Sequence, residues 1–249
     1  MTRWRKAWML VAVGMLAVAM PLAAVADPLQ DLLTTASTQD LSPVLRSFLL
    51  LTLLSLVPLL LISLTSFTRI VVVLSLIRSA LGLQQTPPNS VLVTLALFLT
   101  LFTMSPVLQA AKTGALDPYL RKEIAAPVAL EKGFQPLKMF MLRQTRKEDL
   151  LAVANMAGHP APRSVDEVSA IELVPAFMLS ELRTAFQIGF VIFLPFLLID
   201  LVVAAILMAL GMIMVPPSTV SLPLKILLFL LTNGWSLVAQ ALLASFHPA

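Results

Sequence analysis

Four long apolar stretches set the strongest limit on how this chain of 249 residues can fold. They cover residues 47–64, 91–108, 186–215 and 222–246. Each is close to the roughly 20 residues that a helix needs to cross a bilayer. A segment that meets lipid has to be helical, because its backbone groups find no water there. The sequence therefore predicts an all-α, membrane-associated protein with about four long hydrophobic helices in two hairpins.

The overall composition supports a membrane protein and excludes several kinds of site. Hydrophobic residues make up 59% of the chain and charged residues 12%, whereas about a quarter of a soluble domain is charged. The chain has no cysteine, which excludes disulfides and thiolate metal sites. The net charge of +4 includes three basic residues of an N-terminal segment that we predict to be removed, and the +1 that remains gives no support to a nucleic-acid partner.

The first 26 residues have the features of a secretory signal peptide. Arg3, Arg5 and Lys6 precede an apolar core, and the segment ends in the small-x-small pattern of a cleavage site at residues 24–26. An uncleaved anchor helix is the alternative, but the core is short for a membrane span. We therefore predict a cleaved signal peptide over residues 1–26. Its removal would lower the net charge to +1, place the new N-terminus outside the cytoplasm and indicate a bacterial protein.

Charged residues gather between the second and third apolar stretches. Residues 109–183 hold 10 of the 17 basic and 9 of the 13 acidic residues, so we predict a polar helical domain there, on the periplasmic side. The remaining mature chain would form a first hydrophobic hairpin, 27–108, and a second, 184–249. The segment between the first two stretches would then be cytoplasmic, where Arg69 and Arg78 obey the positive-inside rule.

Groups of residues that would indicate catalysis are sparse. The two histidines, His159 and His247, have no second ligand at metal-binding spacing, so no metal site is predicted. The chain contains no Gly-rich phosphate loop, HExxH or GxSxG motif. We therefore expect neither an enzyme nor a cofactor. An oligomeric small-solute transporter remains an alternative, because a chain with four spans is too small to act as a carrier alone.

The segment GMIMVPP, residues 211–217, interrupts the apolar pattern with flexible side chains. Methionine is unbranched and repacks around varied shapes. Met212, Ile213 and Met214, if several copies presented them to one axis, would form a deformable apolar ring that resists wetting. Filling a helix core is the more common use of methionine, and the residues alone favour that alternative.

The residues around these methionines are expected to shape a loop. Gly211 supplies conformational freedom directly before them. Pro216 and Pro217 have no backbone N–H, so the third apolar helix has to end there.

Lys225 and Asp200 place single charges within apolar stretches. A buried ammonium is costly unless it is paired, although a lysine can also extend its charge to an interface. Asp200 and Glu181 are the candidate partners of Lys225. Asp200 itself is expected either to be buried against a partner or to lie near the membrane surface at a helix end.

Two long stretches resemble the flagellar biosynthetic protein FliP family. Residues 66–107, with the motif QQTPPN, are similar to its first signature, and residues 171–235, with LSELRTAF and GMIMVPP, to its second. Together they cover about two-fifths of the chain, in the family's order and spacing. The injectisome (virulence) relatives, the SctR branch, share both stretches but are generally shorter and lack the leader. The leader and the QQTPPN motif therefore favour the flagellar branch.

The resemblance implies a pore-forming core subunit of the flagellar type III protein export gate. Several copies would assemble with FliR-like and FliQ-like subunits into a helical hetero-oligomer, through which unfolded flagellar proteins cross the inner membrane. The assembly would belong to the flagellar basal body, with much of the chain on the periplasmic side. Its apolar helices would then pack largely on each other rather than on lipid.

The resemblance also implies roles for individual residues. Met212, Ile213 and Met214 match the methionine-rich gasket of the family, in which some relatives have a third methionine at the middle position. Glu181 and Lys225 would form a charge pair between neighbouring copies and so fix their register.

Overall fold

A computed structural model describes residues 43–160, 164 and 167–246 of the chain. All secondary structure in this part of the chain is helical, and it contains no strand. The prediction of an all-α protein is therefore confirmed for the described residues. The predicted signal peptide and His247 lie outside them.

The chain divides into two compact units, residues 1–58 and 59–249. Helix α1, Pro43–Leu64, crosses this division. The other helices belong to the second unit, to which the following description refers. They are α2 (Phe67–Ala80), α3 (Asn89–Ala111), a π-helical turn (Lys112–Leu116), α4 (Asp117–Leu120), α5 (Ala126–Gln144), α6 (Lys147–Met156), α7 (Ala170–Ala209), α8 (Pro217–Leu231) and α9 (Gly234–Ala244).

Two helical stretches are long and apolar enough to cross a membrane. They are Asn89–Leu120, which contains α3, and α7. Helices α8 and α9 together would provide a third span, but they are bent by 64° where they join. The apolar part of α1, Ser47–Leu60, is shorter than a span. The described residues thus support two or three spans, and the expected count of four is not confirmed.

Helix α2 forms the centre of the second unit and packs against both α3 and α7. Its apolar residues recur every three to four positions, and Ile70, Leu74 and Ile77 are at most 1% exposed, as a buried helix face requires. Helix α7 approaches α2 closely because Gly189 of α7 has no side chain. A Cβ there would lie 2.3 Å from Cδ1 of Leu76. This close crossing holds α7, which carries Glu181 and Asp200, against the core.

The fourth apolar stretch is two helices rather than one. Asn233 adopts a left-handed conformation with φ +51° between α8 and α9. Gly234 then packs directly against the ring of Phe229, where a Cβ would lie 2.2 Å from the ring atoms. Trp235 meets the same ring edge-on at 5.2 Å. These contacts fix the bend, which the apolar pattern alone does not reveal.

The predicted boundary between the polar domain and the second hydrophobic hairpin falls inside α7. This helix runs for 40 residues without interruption, from the polar region past residue 183 into the third apolar stretch. Ser169 caps its start, where the side chain accepts a hydrogen bond from the N–H of Ile171. One continuous helix therefore connects the polar helices to the loop that carries the methionines.

Candidate functional site

The methionines lie in a loop between α7 and α8 that begins with a tight turn. The N–H of Gly211 donates to the carbonyl of Met208 at 3.0 Å, and the N–H of Met212 donates to that of Leu207 at 2.9 Å. This pair of bonds closes a helix through a left-handed residue. Gly211 supplies that conformation with φ +74°. The chain is therefore turned away from the axis of α7 directly before the methionines.

Two prolines define the other end of the loop. Pro216 has an extended conformation with ψ 125°, as expected for a residue that precedes proline. Pro217 is the first residue of α8, a position where its missing N–H costs nothing. The loop is thus held by helix ends on both sides, with few residues free to move.

The three methionine-loop residues are exposed in the single chain. Met212 is 43% exposed, Ile213 87% and Met214 95%. They fill no core within this chain, so the core-packing alternative is wrong for the structure of the monomer. Adjacent exposed apolar side chains at the end of a helical hairpin are typical of a surface that another molecule covers.

Lys225 pairs with Asp200 across the α7–α8 hairpin. Its Nζ lies 2.6 Å from Oδ2 of Asp200 and 3.2 Å from the carbonyl oxygen of Ala80. Ser221 donates to the other carboxylate oxygen at 2.7 Å. Because Ala80 ends α2, its carbonyl lies at the negative end of that helix. The ammonium is therefore satisfied inside the protein at 6% exposure and does not extend to a surface.

Glu181 pairs with Arg69 of α2 in the interior. Nε donates to Oε2 at 2.9 Å and Nη2 to Oε1 at 2.5 Å. Such a two-bond contact is the strongest form of a carboxylate–guanidinium pair. The two side chains are 0% and 2% exposed.

The remaining donors of Arg69 reach two further parts of the chain. Nη1 donates to the carbonyl of Ser245 at 3.1 Å, and Nη2 donates to Oε1 of Gln144 at 2.9 Å. The guanidinium also lies 3.9 Å from the ring centre of Phe246, within the range of a cation–π contact. We call these four residues, with Glu181, the arginine hub. The hub joins α2, α5, α7 and the segment after α9.

The burial of Arg69 is a feature that the positive-inside rule does not indicate. The cytoplasmic position of Arg69 stays a prediction, and the structure places its side chain in the core of the second unit. Arg78 differs, because its Nη1 donates to Oδ1 of Asn89 at 2.6 Å near the surface. Sequence reasoning missed Arg69 because its acidic partner lies 112 residues away. The available signal was a single charge in an apolar run, the same signal that identified Lys225.

Glu181 and Lys225 do not meet within one chain. Each is engaged by a different partner, so a bridge between copies would require two ion pairs to open. Glu181 would also have to leave a site in which it is 0% exposed. The bridge between copies therefore stays a prediction about the assembly, and it carries the cost of breaking both pairs.

Exchanging the charges tests whether Lys225 pairs with Asp200 of its own chain or with Glu181 of a neighbouring copy. We expect Lys225→Glu to abolish oligomer formation, because it places a second carboxylate beside Asp200. Adding Asp200→Lys should restore the oligomer, as measured by native gels of detergent-solubilised membranes. Adding Glu181→Lys should not, because that lysine would face Arg69. Rescue by Glu181→Lys alone would contradict the pairing within the chain and establish the bridge between copies.

Polar contacts also hold α6 against the first half of α7. Ser180 donates to Oδ2 of Asp149 at 2.7 Å and accepts from the backbone N–H of Arg146 at 3.0 Å. His159, in the segment after α6, contacts the carboxylate of Glu172. Within the described residues, no group of three or more histidine, aspartate or glutamate side chains is placed to hold a metal ion.

Comparisons with known proteins match most of the chain. Residues 50–242 match the model of the FliP family. The flagellar biosynthetic protein FliP of Pectobacterium carotovorum subsp. carotovorum is 52% identical over 202 residues, which cover 81% of this chain and 78% of the relative. The protein of that name from Bacillus subtilis (strain 168) is 46% identical over 216 residues, with coverages of 87% and 98%. The one from Aquifex aeolicus (strain VF5) is 50% identical over 206 residues, with coverages of 82% and 86%. The family match includes the whole α7–α8 hairpin and the residues of both ion pairs, Arg69–Glu181 and Lys225–Asp200.

Proposed function

The chain belongs to the FliP family of flagellar export components, and from this premise we propose that it is a pore-forming core subunit of the flagellar type III protein export gate. Several copies, together with FliR-like and FliQ-like subunits, enclose a conduit in the bacterial inner membrane. Unfolded flagellar proteins pass through it. The chain itself has no catalytic role and needs no cofactor.

The α7–α8 loop is the observation that carries this proposal. It presents Met212, Ile213 and Met214 to the outside of the chain, and Met214 is 95% exposed. Burying each such side chain contributes about 1.5–3 kcal/mol. Several copies that direct their loops to one axis recover this free energy and close the conduit.

The side chains of the loop suit a seal that opens for a passing chain. An apolar constriction resists wetting and so holds back ions. Methionine changes rotamer readily and adapts to the shape that enters. Ile213 is β-branched and stiffer, so the middle layer of the ring deforms less than the layers formed by the methionines.

The ion pair between the buried Lys225 and the partly exposed Asp200 supports a rigid mount for this loop. Asp200 lies nine residues before the end of α7, and Lys225 lies eight residues after the start of α8. Their contact at 2.6 Å therefore joins the two arms about two turns away from the loop. A loop held in this way keeps its direction while its side chains move.

Exposed apolar faces on α3 and α7 support assembly with other subunits or with lipid. Both helices lie in stretches that are long and apolar enough to cross a membrane, and both expose many large apolar side chains. Examples are Phe98, Phe102, Phe186, Phe190, Leu197 and Leu201. Neighbouring subunits of the gate would cover much of this surface.

Deletion of the gene from its host tests the proposed function. We expect loss of filaments and motility, together with loss of rod, hook and filament proteins from the culture medium, because the export gate cannot form. Reintroduction of the intact gene should restore all three. Normal filaments with altered uptake of a small solute would instead support the transporter, and normal motility with loss of virulence-protein secretion would support the injectisome branch.

A further inference from the structure

A cavity of about 570 Å³ lies between α3, α5 and the segment after α9. The side chains of Val107, Met139, Phe140 and Phe246 give it an apolar lining. This volume lies within the 300–1,000 Å³ of typical small-molecule sites. The cavity is separate from the methionine loop and from the Lys225–Asp200 pair, but Gln144 and Phe246 of the arginine hub line it.

Two cations line the cavity, and no acidic residue does. Lys132 and Arg143 are both exposed, and neither forms an ion pair with another residue of the described chain. They stand eleven residues apart on the same face of α5 as Pro136 and Met139. The cations therefore mark the two ends of an apolar groove about 16 Å long.

The facing wall provides space because its residues are small. Ala110 of α3 and Gly114 of the π-helical turn lie opposite α5. A Cβ added at Gly114 would meet no atom within 4 Å. Gly114 lines the cavity and is exposed, so a larger residue there would take up open space without a clash.

The position of the cavity favours an amphiphile over a water-soluble ligand. One wall belongs to the candidate span Asn89–Leu120, and the other belongs to the helix that carries the cations, within the predicted polar domain. A ligand with an apolar body and an anionic head matches both surfaces, because the lining is apolar between two cations. We infer that the cavity binds an anionic phospholipid, with an acyl chain along Val107 and Met139 and the phosphate at Lys132 or Arg143.

Such a lipid would touch the arginine hub. Gln144 and Phe246 line the cavity, and both also contact the guanidinium of Arg69. A bound acyl chain would therefore contact the ring of Phe246, which packs on the guanidinium of Arg69. A lipid that binds the folded chain but not the unfolded chain also stabilises the fold by mass action.

Lipid retention by the purified full-length chain tests this inference. The chain is prepared in a neutral detergent and offered phosphatidylglycerol or phosphatidylcholine with the same acyl chains, and retained lipid is counted by native mass spectrometry. We expect preferential retention of phosphatidylglycerol. Lys132→Gln or Arg143→Gln should lower that preference about fivefold, the worth of one basic residue near an anionic headgroup.

Two further variants locate the lipid. Lys138→Gln removes a cation of the same helix that does not line the cavity, and it should leave the preference unchanged. Gly114→Leu should abolish retention while the helical circular dichroism stays the same, because leucine fills the open space. If only one of the variants Lys132→Gln and Arg143→Gln loses the preference for phosphatidylglycerol, the headgroup lies at that end of the groove, and this result supports the inference.

Three results would overturn the inference. Equal retention of the two lipids would remove the charge argument. Unchanged retention by the Gly114→Leu chain would place the lipid elsewhere. Crosslinks that put a helix of another gate subunit in the cavity, with no phospholipid retained, would assign the groove to a protein partner.

Discussion

Replacing Glu181 with glutamine should destabilise the chain by about 3–5 kcal/mol. The substitution keeps the size of the side chain but leaves the guanidinium of Arg69 charged and without its counter-ion, where it is 2% exposed. An unpaired buried charge is among the most costly defects in a protein interior. We expect a fall in the unfolding midpoint in detergent and a lower level of the chain in the membrane.

Two controls separate this effect from a general effect of losing an acid. Glu148 pairs with Arg183 at the surface, where the side chains are 82% and 48% exposed, so Glu148→Gln should change the stability by less than about 0.5 kcal/mol. The double variant Arg69→Met with Glu181→Met should recover part of the loss, because apolar side chains replace a buried pair at low cost. Equal effects of the two glutamine substitutions would contradict the structural role of the hub.

The second large effect is expected in the barrier function of the gate. Replacing Met212 and Met214 with alanine should leave the assembly intact but allow ions through the idle gate, because in the proposed ring the shorter side chains would no longer meet at the axis. We expect increased membrane conductance and poor growth under ionic stress. The protein secreted into the medium should persist, since the conduit itself remains.

Met156 provides a matched control for the loop variants. It is another exposed methionine, at 81% exposure, but it lies at the end of α6, far along the chain from the loop. Met156→Ala should leave the conductance at the level of the unmodified protein. An unchanged ion barrier in the Met212 and Met214 variant would count against a gasket at this loop.

The sequence indicated the helical class and the ends of the loop because these depend on local chemistry. The second apolar stretch, 91–108, lies within α3. Gly211 and the two prolines have strong local preferences that hold in almost any surroundings. Such features are readable without knowledge of the rest of the fold.

The pairing of the buried charges was not readable in the same way. Lys225 had two candidate partners in the sequence, Asp200 and Glu181, and only the hairpin geometry brings Asp200 to it. Glu181 instead meets Arg69, because α2 lies against α7 in the core. Contacts between residues far apart in the chain depend on how helices pack, which periodicity does not specify.

The division of the last apolar stretch depended on a single residue. A continuous run of apolar side chains over 222–246 indicated one helix, but Asn233 adopts a left-handed conformation there. Asparagine tolerates this conformation better than most residues, yet it also occurs within helices. The close contact of Gly234 with Phe229 accompanies the bend between α8 and α9, and the apolar pattern does not indicate that contact.

The central claim is that the α7–α8 loops of several copies surround the path of the exported protein. The chain contains no cysteine, so a cysteine introduced at Ile213 is unique, and one at Met156 serves as an equally exposed control. An export substrate with a tightly folded C-terminal domain stalls within the gate, and a short crosslinker that couples to the introduced cysteine and carries a photoreactive group then reports what lies beside that position. We predict crosslinks from position 213 to the stalled substrate and to other copies of the chain, and none to the substrate from position 156. Crosslinks to the substrate from position 156, with none from position 213, would contradict the account.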